Sequence, residues 1–493
     1  MPNYSSHQFY KDWRYSVKKD FTNPSTGEQV PYAPDGFRTW GNEVHKLPVS
    51  KSPSIGSVSS DGSLIAIAVD EDIFVYETVN FNQITVCKGH VSKIDALAFR
   101  PGNNSKVLVS SAQNNYAGTK PVEPTIIIWD LDAQQEHPPI DPSIISRIAS
   151  QAASTVVQEL QQVETPVELS SAEEKDLTAD FEPSISRAIK THGLAKQRTL
   201  PGRLQSNFQS EVFSPSGTYL LYMPGERPHS NGNDVWDVKV YSMYTHQNVL
   251  TLSGHTDALM WMGFSPDERL IGTVAWDMSV RIWDAFTGRE KFVFKTGGQN
   301  WTGAFSPDSK RFAGTCGDGT LYVWEMDEGA ELVKYKEGER NGWLRALSWS
   351  ADGKMLAVGG GHGVVQERIL SVDACLVGPE YKRSLGSYLE CCGVRFVDGG
   401  RKVVVLTSGD GGIETYDLMT SEKWRFARPG IDPERAESSE NEGQIKSKNE
   451  DDVVRGGYSM EVWEDKERGK ILVASMDGDA VRIWDLPMTK EDS

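Results

Sequence analysis

His255 and Asp277 are the residues of this chain whose types most readily suggest chemistry. An imidazole held by a carboxylate is the usual general base. The same two side chains, once buried, can equally do no more than satisfy each other's hydrogen bonds. Nothing else in the sequence completes a reaction centre. The five cysteines, Cys87, Cys316, Cys375, Cys391 and Cys392, form no CxxC and have no histidine at a metal-ligand spacing. They read as reduced thiols, most of them buried in strands, and no structural metal is expected. A GxxxxGK[ST] phosphate loop is also absent, and no cofactor is expected.

Composition narrows the partners. The formal net charge is −18, from 69 acidic against 51 basic residues. A phosphate backbone attracts Lys and Arg, so nucleic acid is not expected as the primary ligand. No apolar run has the roughly 18 residues a membrane helix needs. The N-terminus, MPNYSSHQFYKDWRYSVKK, lacks the apolar core of a signal peptide. The expected setting is therefore the cytoplasm, the nucleus or both, away from membranes.

The elements that must position His255 and Asp277 belong to a recurring phrase. Its fullest copy, SGHTDALMWMGFSPDERLIGTVAWDMSVRIWD, ends at Asp284. Runs such as LIAIAV, TIIIWD and VRIWD are rich in β-branched and aromatic residues, as strands buried on both faces are. The turns SPDE, GDGT and SADG carry the Gly, Asp and Pro that tight reversals need. Aligned on the bulky residue closing each first strand, the copies fall at Val58, Phe99, Phe213, Phe264, Phe305, Trp349, Phe396 and Trp463. The spacing from Phe264 to Phe396 is close to the roughly 40–45 residues of a four-stranded blade. On these residues the chain resembles the WD-repeat family of β-propellers, from about residue 38 onward.

The resemblance implies an all-β fold, a single closed β-propeller of four-stranded antiparallel blades. The repeat count is eight blades, with seven as the alternative should one degenerate repeat not form a blade. It also implies that His255, Thr273, Asp277 and Trp283 form a structural hydrogen-bonded network inside one blade. Open sheet edges must be closed off. After Trp484-Asp485 too little chain remains for a last strand, so residues 38–49 are expected to supply it.

Three departures from the period stand out. An excess between Phe99 and Phe213 places a partly helical insertion at 134–198, after the third strand of the second blade. Asp141-Pro142-Ser143 would start one helix, with Ile144, Ile145, Ile148, Ala152, Val156 and Leu160 at helical spacing. A second helix is expected over about 182–192, and residues 196–200 would complete the blade. The insertion either caps the propeller's own apolar surface, the preferred reading, or holds a helix out for a partner. Residues 431–456, charged and nearly free of aromatics, read as an acidic disordered loop. Residues 1–37 carry Tyr4, Phe9, Tyr10, Trp13, Tyr15, Phe21, Tyr32 and Phe37, and are expected to pack on the propeller or on a partner.

The family binds partners at one end of the disc. Carried onto this chain, the resemblance places Met260, Trp276, Trp301, Trp343 and Arg345 together on blades four to six, as a partner-binding group. The remaining blades offer more polar residues there, among them Lys93, Asp95, Asn207, Gln209, Glu390 and Cys392. Trp, Met and Arg are the types enriched at interface cores. The expectation is a non-enzymatic interaction scaffold or adaptor, a subunit of a hetero-complex with other proteins. Two alternatives are weaker. A ubiquitin-ligase substrate receptor often has a basic residue two positions after Trp-Asp, where this chain has Asp132, Phe286 and Pro487. A propeller enzyme needs convergent carboxylates or histidines, and of the mapped positions only Asp95 and Glu390, on well-separated blades, are acids.

Overall fold

A computed structural model describes residues 42–49, 53–102, 105–112, 123–131, 142–161, 169–192, 197–205, 209–225, 236–336, 343–360, 368–371, 382–384, 391–407, 413–419, 422–426, 459–477 and 480–489. The expectations for residues 1–37 and 431–456 lie outside the described residues.

The strands form antiparallel sheets, numbered here in chain order. Sheet 1 runs Pro53–Val58, Leu64–Val69, Asp72–Glu77 and Gln83–Lys88. Sheet 2 runs Ile94–Phe99, Val107–Ala112, Thr125–Asp130 and, after the insertion, Gln197–Pro201. Sheet 3 runs Tyr219–Tyr222, Trp236–Ser242 and Asn248–His255. Sheet 4 runs Leu259–Phe264, Leu270–Ala275, Ser279–Asp284 and Glu290–Lys295. Sheet 5 runs Asn300–Phe305, Arg311–Cys316, Thr320–Glu325 and Glu331–Lys336. Sheet 6 runs Leu344–Trp349, Met355–Gly360, Arg368–Ser371 and Lys382–Ser384. Sheet 7 runs Cys391–Val397, Lys402–Thr407, Ile413–Asp417 and Glu422–Arg425. Sheet 8 takes Met460–Asp465, Lys470–Met476 and Ala480–Pro487 from the C-terminus and Asn42–Pro48 from the N-terminus.

Among the described residues seven of these are complete four-stranded blades, so the expectation of eight four-stranded blades is corrected to seven. Sheet 3 has three described strands, and the reason is visible in its first-strand region. Leu220 of its innermost strand and Met223 just past it bridge Phe213 and Arg203 respectively, which are far more widely spaced in sequence. The repeat phase read from Phe213 holds, but the strand it should end is split in two, and Leu204, Gln205 and Gln209 between the halves bond to other sheets.

Apolar side chains cluster between every pair of consecutive sheets. Ile73, Phe99 and Trp129 join sheets 1 and 2. Val109, Leu220, Trp236 and Met262 join sheets 2, 3 and 4. Phe305, Phe312 and Ile282 join 4 and 5, Val323 and Leu356 join 5 and 6, and Ala346 and Val403 join 6 and 7. Phe426 and Trp484 join 7 and 8, and Ile65 and Met476 join 8 back to 1. With both faces covered, a strand such as LIAIAV is buried at every position and shows no alternation.

One turn recurs between first and second strands. In sheet 4, Ser265 Oγ donates to Asp267 Oδ1 at 2.6 Å and accepts the Leu270 N–H at 2.9 Å. Ser59/Asp61, Ser306/Asp308 and Ser350/Asp352 repeat it. The residue after the aspartate is left-handed, with φ of 69° at Gly62 and Gly353, where glycine carries no penalty. Glu268 takes the same conformation at φ 59°, and its carboxylate is held by the insertion.

The insertion folds onto the ring. Helix α1 (Pro142–Gln161) buries Ile148, Ala149, Ala153 and Val157. Its Arg147 pairs with Glu268 and donates to Ser216 Oγ at 2.8 Å, while Gln151 Nε2 donates to the Ala285 carbonyl at 3.2 Å. Helix α2 (Ser171–His192) starts well before the expected residue 182 and runs through Pro183. The missed start was marked by Ser170 and Glu173, whose reciprocal bonds form a capping box.

The N-terminal strand pairs Asn42 with Asp485 and Pro48 with Ala480, closing sheet 8 as expected. Arg482, almost fully buried, lies 3.0 Å from Glu43 of the N-terminal strand and 3.2 Å from the fully buried Asp477. Removing one partner of a buried ion pair leaves an uncompensated charge, at a cost of about 3–5 kcal/mol. Arg482→Ala is therefore expected to lower the urea unfolding midpoint sharply, whereas Glu43→Gln, at the more exposed end of the cluster, should lower it far less. Equal shifts for the two variants would contradict this account of the closure.

Candidate functional site

His255 ends the last strand of sheet 3, and Asp277 sits in the turn between the second and third strands of sheet 4. The network expected inside one blade instead joins two, because one repeat supplies the last strand of one sheet and the first three of the next. His255 Nδ1 lies 2.8 Å from Asp277 Oδ2, and Nε2 lies 2.8 Å from Thr273 Oγ1. Trp283 Nε1 donates to the same hydroxyl at 2.8 Å. Since the indole can only donate, the Thr273 hydroxyl is free to give its proton to Nε2, leaving Nδ1–H to donate to the carboxylate. Asp277 also accepts from Thr256 N–H at 3.2 Å and Ser279 N–H at 2.9 Å.

The electrostatics follow from burial. Desolvation lowers the His255 pKa, and the Asp277 partner only partly restores it, so the ring is neutral. Burial alone would raise the Asp277 carboxyl, but hydrogen bonds from His255, Ser279 and Thr256 outweigh it and hold the group well below the usual carboxylate range. His255 is 2% exposed, and both its nitrogens are bonded within the protein. A base with no face toward a substrate does no catalysis. Sheet 2 repeats part of the arrangement: His90 Nε2 lies 2.7 Å from Ser110 Oγ, which accepts Trp129 Nε1–H at 2.8 Å. Burial pushes the His90 pKa down to about 4.

The second candidate group lies at the end of sheets 4 to 6. Trp276 follows the second strand of sheet 4, Trp301 is in the first strand of sheet 5, and Trp343 immediately precedes the first strand of sheet 6. Their rings form a ladder across the three sheets. Trp276 and Trp301 meet edge-on at 5.4 Å, and Trp301 and Trp343 stack at 5.1 Å with a 28° tilt. The Arg345 guanidinium lies 4.8 Å from the centres of both Trp301 and Trp343, a cation–π arrangement that anchors it within the protein.

The five residues are thus brought together, but not all on the surface. Met260 and Trp301 are buried at 7% and 6% exposure within one core cluster, whereas Trp276, Trp343 and Arg345 are half-buried. Two contributors were not singled out from the sequence. A Cβ on Gly317 would sit 3.0 Å from Trp301 Nε1, so that glycine permits the close approach of its turn to the ladder. Gln205 Nε2 donates to the Met260 carbonyl at 2.6 Å. Among the described residues no cluster of His, Cys, Asp or Glu could hold a metal, and no helix is long and apolar enough to cross a membrane. Burial raises the thiols of Cys87 and Cys316 to about 11.

The model of the family "WD domain, G-beta repeat" matches residues 246–284 and 301–325, the stretches that carry the His255–Trp283 network and Trp301. The chain is a WD-repeat β-propeller. Among curated proteins this propeller is 22% identical over 280 residues to the Periodic tryptophan protein 2 homolog of Dictyostelium discoideum. That match covers 54% of this chain but only 25% of the relative. Among solved structures, Sqt1 of Saccharomyces cerevisiae aligns over 91% of this chain and 99% of its own, with a TM-score of 0.58 at 11% identity. Chaetomium thermophilum Sqt1, bound to the N-terminus of the ribosomal protein L10, covers 91% of this chain and 100% of its own, with a TM-score of 0.54 at 14% identity. At such identities these two structures show the fold.

The network makes an acid-stability prediction. Folded Asp277 titrates below the roughly 3.9 of an unfolded aspartate, so its contribution is complete at neutral pH and is lost as pH falls below about 4. Asp277→Asn should lower the urea midpoint at pH 7 by the equivalent of about 1–3 kcal/mol. The gap to the native protein should narrow at pH 3; a gap that stays constant would show that the carboxylate's charge plays no part.

Proposed function

We propose that this propeller is a non-enzymatic scaffold or adaptor subunit of a larger intracellular assembly, and that a protein partner engages the end of the ring at sheets 4 to 6. The observation that carries the reading is the indole ladder. Trp276 and Trp343 present half-buried faces on either side of the buried Trp301, the form of a preformed hot spot in which rigid aromatic anchors are already held in place. Arg345 is stacked on the ladder and so belongs to the rigid floor. The His–Asp pair is satisfied internally, so among the described residues it offers this end no reaction centre. That one structural neighbour is bound to the N-terminus of a ribosomal protein supports a protein as the class of ligand.

Truncating a central aromatic anchor typically costs 2 kcal/mol or more, roughly thirtyfold in affinity. Trp343→Ala and Trp276→Ala are each expected to deplete the specific partners of this chain by at least about tenfold in affinity capture with quantitative mass spectrometry, while thermal unfolding stays within a few degrees of the native protein. Undiminished capture by both folded variants would sink the proposal.

A further inference from the structure

Among the described residues between the two halves of sheet 3's first strand, Leu204, Gln205 and Gln209 bond to other sheets of the ring. The two halves remain in register: Arg203 and Met223 exchange both backbone hydrogen bonds at 2.9 Å, and the Leu221 N–H donates to the Val212 carbonyl at 2.7 Å. Between them, the Leu204 N–H donates to Ser111 Oγ of sheet 2 at 3.2 Å, and Gln205 reaches Met260 of sheet 4. Gln209 follows in a left-handed conformation, φ 64°. Its side-chain amide reaches the inner strands of two sheets across the channel. Oε1 accepts the Leu347 N–H of sheet 6 at 2.9 Å, and Nε2 donates to the Val394 carbonyl of sheet 7 at 2.7 Å. The Gln209 carbonyl accepts Trp261 Nε1–H of sheet 4 at 3.2 Å, and the Glu211 N–H donates to the Met262 carbonyl at 3.2 Å.

The inner strand of each sheet is an edge, and its channel-facing amides have no further strand to pair with. A primary amide offers one acceptor and a donor pair in nearly the geometry of a peptide group. One glutamine side chain thus substitutes for a strand against two edges at once. Leu347 lies two residues after Arg345, and Met260 shares with Trp301 the core cluster against which Trp276 and Trp343 pack. Gln205 and Gln209 therefore bond both the sheet that begins the ladder and the sheet that ends it.

We propose that Gln209 is a positioning residue: by spanning the channel, it fixes sheets 4, 6 and 7 against one another, holds the indole ladder in register and leaves the end of the ring as the place where a partner docks. The ladder's role in this statement rests on the binding reading above; the clamp itself is tested with no partner present. Hydrogen exchange read by mass spectrometry would be compared for the native chain, Gln209→Ala and Gln209→Glu. In Gln209→Ala, peptides over residues 343–349 and 391–397 should exchange about tenfold faster, with residues 64–69 of sheet 1 unchanged. In Gln209→Glu the acceptor for Leu347 is kept but the donor to Val394 is lost. Residues 343–349 should then stay near native rates while 391–397, whose Val394 carbonyl now faces a carboxylate oxygen, is pushed open and accelerates. Native rates at 343–349 in the alanine variant, or equal acceleration in every sheet, would overturn the proposal. Should the alanine variant not fold, the glutamate variant decides alone, since parallel behaviour of its two peptides would equally overturn it. None of these results bears on whether Trp276 and Trp343 bind a partner.

Discussion

Every sheet in this molecule is covered on both faces by its neighbours, with apolar clusters at each junction around the ring. Burial of that kind is non-directional and scales with area. It explains why second strands such as LIAIAV and LIGTVA lack a polar face. It also means that no sheet can be withdrawn without uncovering two apolar surfaces. The weak sheets, such as sheet 3 with its divided inner strand and sheet 6 with its short outer strands, are therefore held by their neighbours more than by their own ladders.

Face-to-face packing leaves the directional groups to be satisfied separately, and the polar features are answers to that need. The Ser–Asp turns occupy backbone donors at one end of the sheets. The His255–Thr273–Trp283–Asp277 chain locks the opposite end of sheet 4 to the end of sheet 3. Gln209 does the same in the channel. All three place a side chain, buried in the turn serines and His255 and half-buried in Gln209, against donors or acceptors that no strand reaches. This is why a histidine and an aspartate in contact are here a pair satisfied within the fold.

Much of this was legible in the residues. Regular spacing from Phe264 to Phe396, turn strings such as SPDE and SADG, and the unfinished last blade at Trp484-Asp485 led directly to the sheets and their closure. The network residues were legible for the same reason: they are local to one repeat. The split first strand of sheet 3 was not, because the bulky Phe213 sits in phase whether or not the residues before it stay in the sheet. Gln209 looked like one polar residue among several at the channel end; only its contacts with Leu347 and Val394, far away in sequence, distinguish it. The early start of α2 could have been read from Ser170 and Glu173, a local signal overlooked beside Pro183. Trp301 was assigned to a surface because its position is outward in the repeat, yet its neighbours Trp276 and Trp343 bury it.

The strand Asn42–Pro48 completes a sheet whose other three strands come after the whole rest of the ring in the chain, with Glu43 and Arg482 separated by 439 positions. During synthesis that strand must wait, unpaired, until the sheets between have emerged. The growing ring meanwhile carries two open ends, and joining them pays its loop-closure entropy in a single late step. The same topology acts in reverse once the ring is shut: opening requires the seam at sheet 8 to break before either end can peel away. A ring of this topology is open to misassembly while it grows, and once shut its seam must break before it opens.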